Sequence, residues 1–215
     1  GLAFLGGVAA VLLVIALGKA MQHADRTLVL VLTGVVLGAL AGAITSLLKI
    51  LADPYDQLPA ITFWLLGSLS GIQMGEVFAI APLVILACVA LYMLRWRLNV
   101  LSLPEQEAIA LGVRVKPLRI TVIALATLMT SAVVAVSGVI GWIGLLIPHA
   151  ARLLVGPSLV RLLPASVLMG AMFLLLVDTA SRSFGSIEVP LGILTALVGA
   201  PFFLALLLQR KDVAE

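Results

Sequence analysis

Long apolar runs separated by short charged stretches set the rhythm of this chain. Runs at about residues 1–18, 28–51, 77–94, 118–136, 139–155, 162–181 and 190–208 come close to the length, about 20 residues, at which a helix crosses a bilayer. None shows the strict alternation of a barrel strand, so the pattern predicts helices, which satisfy their own backbone hydrogen bonds in lipid. The expected fold is all-α, a polytopic transmembrane helical bundle of about seven spans forming one domain over residues 1–215. The fifth run, SGVIGWIGLLIPHAARLLVG, has Gly138, Gly141 and Gly144 at every third position and Pro148 within it, and predicts a short or broken helix.

Two of the connections have patterns of their own. The apolar part of DPYDQLPAITFWLLGSLSGIQMGE, Ile61 to Leu69, is too short to cross and predicts a surface helix, with Phe63 and Trp64 at the level where aromatic rings favour the interface. An extension of a neighbouring span is the alternative. LSLPEQEAIALGVRVKP, between the third and fourth spans, predicts a helix of about nine residues: Ser102 and Glu105 have capping-box spacing, Pro104 suits a first turn, and Gly112 suits a left-handed stop. Glu105 and Glu107 favour its N-terminal end, and Ile109, Leu111 and Val113 give it an apolar side. It reads either as a capped interfacial turn or as a knob made to be touched.

Composition excludes an ordinary soluble domain, since 63% of residues are hydrophobic, 11% are charged and mean hydropathy is +1.27. Charge sets the topology. Of 13 Lys and Arg residues, only Lys49 and Arg182 fall on one side when the loops alternate, so the other side is expected to be cytoplasmic. Asp53, Asp56, Glu76 and Glu188 then lie outside, and the tail QRKDVAE lies inside. The net charge of +3 is explained by span ends rather than by a nucleic-acid stripe. The start at Gly1, inside an apolar run without Met or a basic leader, reads as the interior of a larger protein.

Candidate chemistry is sparse. Cys88 lies within an apolar run and reads as packing. His23 and His149 have no cluster of ligating residues near them in sequence, so no metal site is expected; Arg152 is expected to snorkel and His149 to bond a backbone carbonyl. No nucleophile with its base and no Walker loop occurs, so the chain is expected not to be an enzyme. Gly34, Gly38 and Gly42 form a smooth stripe on which another helix can pack closely, within the subunit or outside it. Asp178 and Arg182, four residues apart near the outer end of the sixth span, predict a local ion pair.

The stretches LSLPEQEAIALGV, GLLIPHAARLLVG, RLLPASVLMGA, DTASR and VPLGILTALVGAPFFLALL together resemble, in order and spacing, the FecCD-type permease subunits of ABC importers for ferric siderophores, haem and cobalamin. The likeness runs from about Leu28 to Arg210, and because such permeases carry about ten spans it implies that these are the last seven. It also implies that residues 101–116 are the cytoplasmic coupling segment, with Ser102, Glu105, Gln106, Glu107, Ala108, Leu111 and Gly112 making or framing contact with an ATPase. Pro104 replaces the family's usual Gly, and Ile109 stands where Arg is frequent. Arg182 is the implied docking residue for a substrate-binding protein, Gly34, Gly38 and Gly42 the implied translocation path or dimer interface, and Arg26 and Thr27 the gate region.

The implied partners are a second permease, identical or not, two cytoplasmic ATP-binding subunits that hold ATP and Mg, a periplasmic or lipid-anchored binding protein, and membrane lipid, with no nucleic acid. No cofactor would be bound by this chain itself. The implied location is the bacterial inner membrane. The rival reading is an ion- or proton-coupled secondary transporter, which calls for midplane ionisable residues and paired half-helices.

Overall fold

The computed structural model describes residues 2–20, 26–183 and 188–211, with side chains described for 2–17, 31–183 and 188–204. Among the described residues all regular structure is helical: α1 (Leu2–Ala20), α2 (Arg26–Leu51), α3 (Gln57–Leu66), α4 (Met74–Met93), α5 (Arg95–Val100), α6 (Glu105–Ala110), α7 (Val115–Ser137), α8 (Ile143–Val155), α9 (Leu159–Ser183) and α10 (Leu191–Lys211). Four of them, α2, α4, α7 and α9, are long and apolar enough to cross a membrane. The described parts of α1, α8 and α10 are shorter apolar helices.

The helices pack in two groups. In the first, α1 and α4 lie against α7, and α2 lies against α1; in the second, α8, α9 and α10 pack on one another. Two short helices bridge the groups, α5 reaching α9 at one end and α3 reaching α10 at the other. The first of these ends carries Arg95, Arg97, Arg114, Lys116, Arg119, Arg152 and Arg161 and is the basic end; the other carries Asp53, Asp56, Glu76, Asp178 and Glu188 and is the acidic end. Hydrogen bonds between distant segments respect this division, as alternating spans require.

At the acidic end three glycines let backbones touch. The Ser68 N–H donates to the Ser137 carbonyl at 3.0 Å and the Leu191 N–H to the Gly67 carbonyl at 3.0 Å. Gly138 has φ +69, and a Cβ there would collide with the Trp64 carbonyl; a Cβ at Gly192 would meet the Leu66 carbonyl. The Ser181 hydroxyl donates to the Val189 carbonyl at 2.6 Å, fastening α9 to the start of α10. Leu191 and Thr195 are completely enclosed beneath this knot.

Several boundaries differ from the sequence expectation, each for a local reason. Helix α3 begins at Gln57, before the expected Ile61, because Asp53 Oδ1 accepts the N–H groups of Tyr55 at 2.9 Å and Asp56 at 3.1 Å and turns the chain at once. It stops at Leu66 rather than Leu69, because Gly67 takes φ +71. Helix α4 begins at Met74, before the expected residue 77, with the Glu76 carboxylate accepting from the Gln73 N–H at 3.0 Å. The fifth run is short, as expected: α8 has 13 residues, about 20 Å, and is preceded by non-helical residues 139–142 in which Trp142 has φ 66.

Candidate functional site

The segment expected to form one nine-residue helix is built otherwise. Helix α5 occupies Arg95–Val100, and the turn that ends it brings the Leu103 N–H to the Val100 carbonyl at 3.1 Å. Ser102 is consumed by that turn: its hydroxyl donates to the Asn99 carbonyl at 2.6 Å. The predicted capping box between Ser102 and Glu105 is therefore absent. Helix α6 starts at Glu105 behind an extended Pro104 (φ -51, ψ 144), with no side-chain cap, and spans 6 residues. The box fails because its serine already belongs to the preceding helix.

The C-terminal stop is as expected and better defined. Gly112 has φ +78, its N–H donates to the Ile109 carbonyl at 2.9 Å, and the Val113 N–H reaches the Ala108 carbonyl at 3.1 Å. That pair of bonds is a Schellman motif, whose usual apolar contact is supplied by buried Ala108 and Val113. They join Val100, Val115 and Leu118 in one cluster, edged by Leu94, Leu101 and Val122. The end of α5, the whole of α6 and the start of α7 thus form a single packed body. Burying side chains of this size contributes about 1.5–3 kcal/mol each, enough to keep so short a helix in place.

The outward face of α6 carries Glu105, Gln106 and Glu107 together with Ile109 and Leu111, the last two more than half exposed. The apolar side expected to bury is therefore divided: Val113 turns inward, Ile109 and Leu111 turn out. Cavities flank the knob. One of about 450 Å³ is lined by Arg97, Arg114, Leu118 and Thr121, and one of about 400 Å³ by Glu105, Ile109, Val115 and Lys116.

At the acidic end the predicted ion pair is present: Arg182 Nε lies 2.9 Å from Asp178 Oδ2, and Nη2 lies 3.2 Å from Oδ1. The pair is partly exposed. A nearby cavity of about 620 Å³ brings Glu76 and Glu188 together with Phe63, Trp64 and Ser137. Arg182 does not line it.

Along α2, nothing within the described residues approaches Gly34, Gly38 or Gly42, and apolar Val35, Val36, Leu40 and Ile44 around them are exposed. Packing of the stripe inside the chain is ruled out for the described residues. Arg26 and Thr27 open α2, and their side chains lie outside the described residues. Cys88 is a half-buried free thiol. Among the described residues His149 makes no hydrogen bond to a backbone carbonyl, contrary to expectation, and no group of three His, Cys, Asp or Glu side chains could hold a metal.

One residue was not foreseen. Asn99 Oδ1 accepts the N–H of Leu159 at 2.8 Å, across 60 residues of sequence. No local pattern in sequence announces a bond of that span.

Several long apolar helices, charge sorted to opposite ends and an exposed acidic knob at the basic end define a multi-pass helical membrane protein. Residues 1–209 match the model of the FecCD transport family, and the chain belongs to that family. It is 45% identical over 185 residues to the molybdate import system permease protein MolB of Haemophilus influenzae, covering 86% of this chain and 55% of that protein. It is 40% identical to the cobalamin import system permease protein BtuC of Halobacterium salinarum, covering 97% of this chain and 56% of that one. A solved inward-facing structure of an ABC transporter assigned to the metal-chelate type matches with a TM-score of 0.88 at 42% identity, over 96% of this chain and 65% of that one. The chain therefore spans a little over half the length of these curated relatives.

Proposed function

We propose that the chain is the membrane-spanning permease part of an ATP-driven ABC importer for a metal chelate such as a ferric siderophore, haem or cobalamin. The observation that carries this reading is α6: a helix too short to stand alone, anchored by Ala108 and Val113 and presenting Glu105, Glu107, Ile109 and Leu111 outward. Apolar groups left exposed beside carboxylates suit a groove on another protein. Residues 101–116 act as the coupling segment on a cytoplasmic ATPase that holds the ATP and Mg, and the permease itself performs no hydrolysis.

In this reading α1, α2, α4, α7, α8, α9 and α10 are seven spans in the inner membrane, with the basic end and the C-terminus cytoplasmic. A second permease packs along Gly34, Gly38 and Gly42, where the path runs, Arg26 and Thr27 belong to the gate, and a substrate-binding protein docks near Arg182. Support for the cargo class comes from one of the two named relatives, a cobalamin import permease, and from the metal-chelate type of the solved neighbour, while the molybdate permease MolB carries an oxyanion instead. An ion- or proton-coupled carrier is disfavoured by membership of the FecCD family.

The test uses the intact permease purified with its neighbours. An ATP-binding subunit should co-purify, and the double substitution Glu105→Lys with Glu107→Lys should lower uptake per ATP hydrolysed by about ten-fold while leaving the helices folded. Unchanged uptake in the double variant, or no bound ATPase, would overturn the proposal.

A further inference from the structure

The knob at the basic end is packed against α7 but has a second attachment, through α5 to α9, in which one side chain supplies the hydrogen bond. Helix α9 starts at Leu159, after Ser158, whose carbonyl accepts from Arg161 at 3.0 Å and from Leu162 at 2.9 Å. The first N–H groups of any helix lack partners within it. For Leu159 the partner is Asn99, a residue of α5, at 2.8 Å. Around this bond α5 buries Leu98 and Val100, and α9 buries Leu162. Val100 also belongs to the apolar cluster that seats α6. A displacement of α6 thus reaches α7 through Val113 and Val115, and reaches α9 through Val100 and Asn99.

Helix α9 is a rod of 25 residues whose far end holds the Asp178–Arg182 pair and the Ser181 bond to Val189. Resting on the importer reading above, we infer that Asn99 is the positioning residue that makes α9 the relay between the ATPase contact and the outer docking end. The requirement is for an acceptor oxygen of the right reach. A carboxylate meets it, and near a helix N-terminus it is favoured by the dipole. The bond can also be removed from the donor side, since Leu159 is the first helical residue, where proline is accepted without cost to the helix.

The experiment reconstitutes the intact permease with its ATP-binding and substrate-binding subunits in proteoliposomes and measures how far the substrate-binding protein stimulates ATP hydrolysis. Asn99→Ala and Leu159→Pro should each reduce the stimulation by about five-fold at unchanged basal hydrolysis and unchanged subunit assembly, and Asn99→Asp should retain it. The Asn99→Ala/Leu159→Pro double variant should be no worse than either single one, because both remove the same bond. Hydrogen exchange at the residue 159 amide supplies a readout independent of ATP: protected in the unsubstituted protein and in Asn99→Asp, and about five-fold faster in Asn99→Ala.

Full stimulation in both single variants, loss in Asn99→Asp equal to that in Asn99→Ala, or an unprotected amide at Leu159 in the unsubstituted protein would overturn the relay. Failure of the unsubstituted permease to bind an ATPase would overturn the importer reading instead.

Discussion

Gly112 and Gly138 share a positive φ but not a setting. At Gly112 φ is +78 and an added Cβ meets nothing within 4 Å, so Gly112→Ala carries only the left-handed penalty, about 1–2 kcal/mol. At Gly138 φ is +69 with ψ -163, a region almost closed to other residues, and the Cβ would strike the Trp64 carbonyl, so Gly138→Ala adds displacement of backbone to a conformational cost of its own. Thermal unfolding of the solubilised intact permease should show a modest loss for Gly112→Ala and a loss of more than about 3 kcal/mol for Gly138→Ala. Equal losses would mean that the acidic-end knot can give way. Of the two, only Gly112 was legible as a helix stop, because its role is set by its immediate neighbours in sequence. Gly138 drew notice only as part of a spacing, since its need for a bare Cα comes from Trp64, far away in sequence. The Ser102 to Glu105 spacing shows the converse: a correct local signature loses when another helix has already used the serine.

Among the elements, the long apolar helices were legible because lipid leaves the backbone no other arrangement. The short ones were less so. Helix α5 mixes Arg95, Arg97 and Asn99 with Trp96 and Leu98 over 6 residues, too few to show a period, and its stability comes from packing on its neighbours, α9 among them, rather than from its own propensity. Helix α9 was foreseen together with its Asp178–Arg182 pair. That pair is partly exposed, and such surface pairs are held weakly, so it leaves Arg182 available for exchange with a partner carboxylate. Arg182→Glu should weaken binding of the substrate-binding protein by about five-fold at low ionic strength, the difference shrinking as salt is raised. Titration of the binding protein onto the reconstituted permease measures this; unchanged affinity would confine Arg182 to neutralising Asp178.

The whole molecule leaves much apolar surface uncovered, above all along α2, where Val35, Val36, Leu40 and Ile44 are exposed. The stripe of Gly34, Gly38 and Gly42 could be read from its spacing, but that no described residue packs on it could be seen only in the fold. Gly38→Leu should therefore leave the fold of the chain intact and disrupt the proposed pairing with a second permease, read as a shift from the paired to the single species in detergent by light scattering or cross-linking. A Gly38→Leu protein that stays paired would move the interface elsewhere.

The contrast between the two bridges has a consequence for how such a protein changes over generations. At the acidic end the α3 bridge is fastened by carbonyl and amide groups that every residue owns, and the glycines there can be replaced only at the expense of the crossing itself. At the basic end the hydrogen bond that ties the α5 bridge to α9 comes from the side chain of Asn99. Drift can retune the second one codon at a time. The first offers selection no such handle, so on the proposed importer reading inherited variation in how tightly motor and membrane are geared should gather around Asn99.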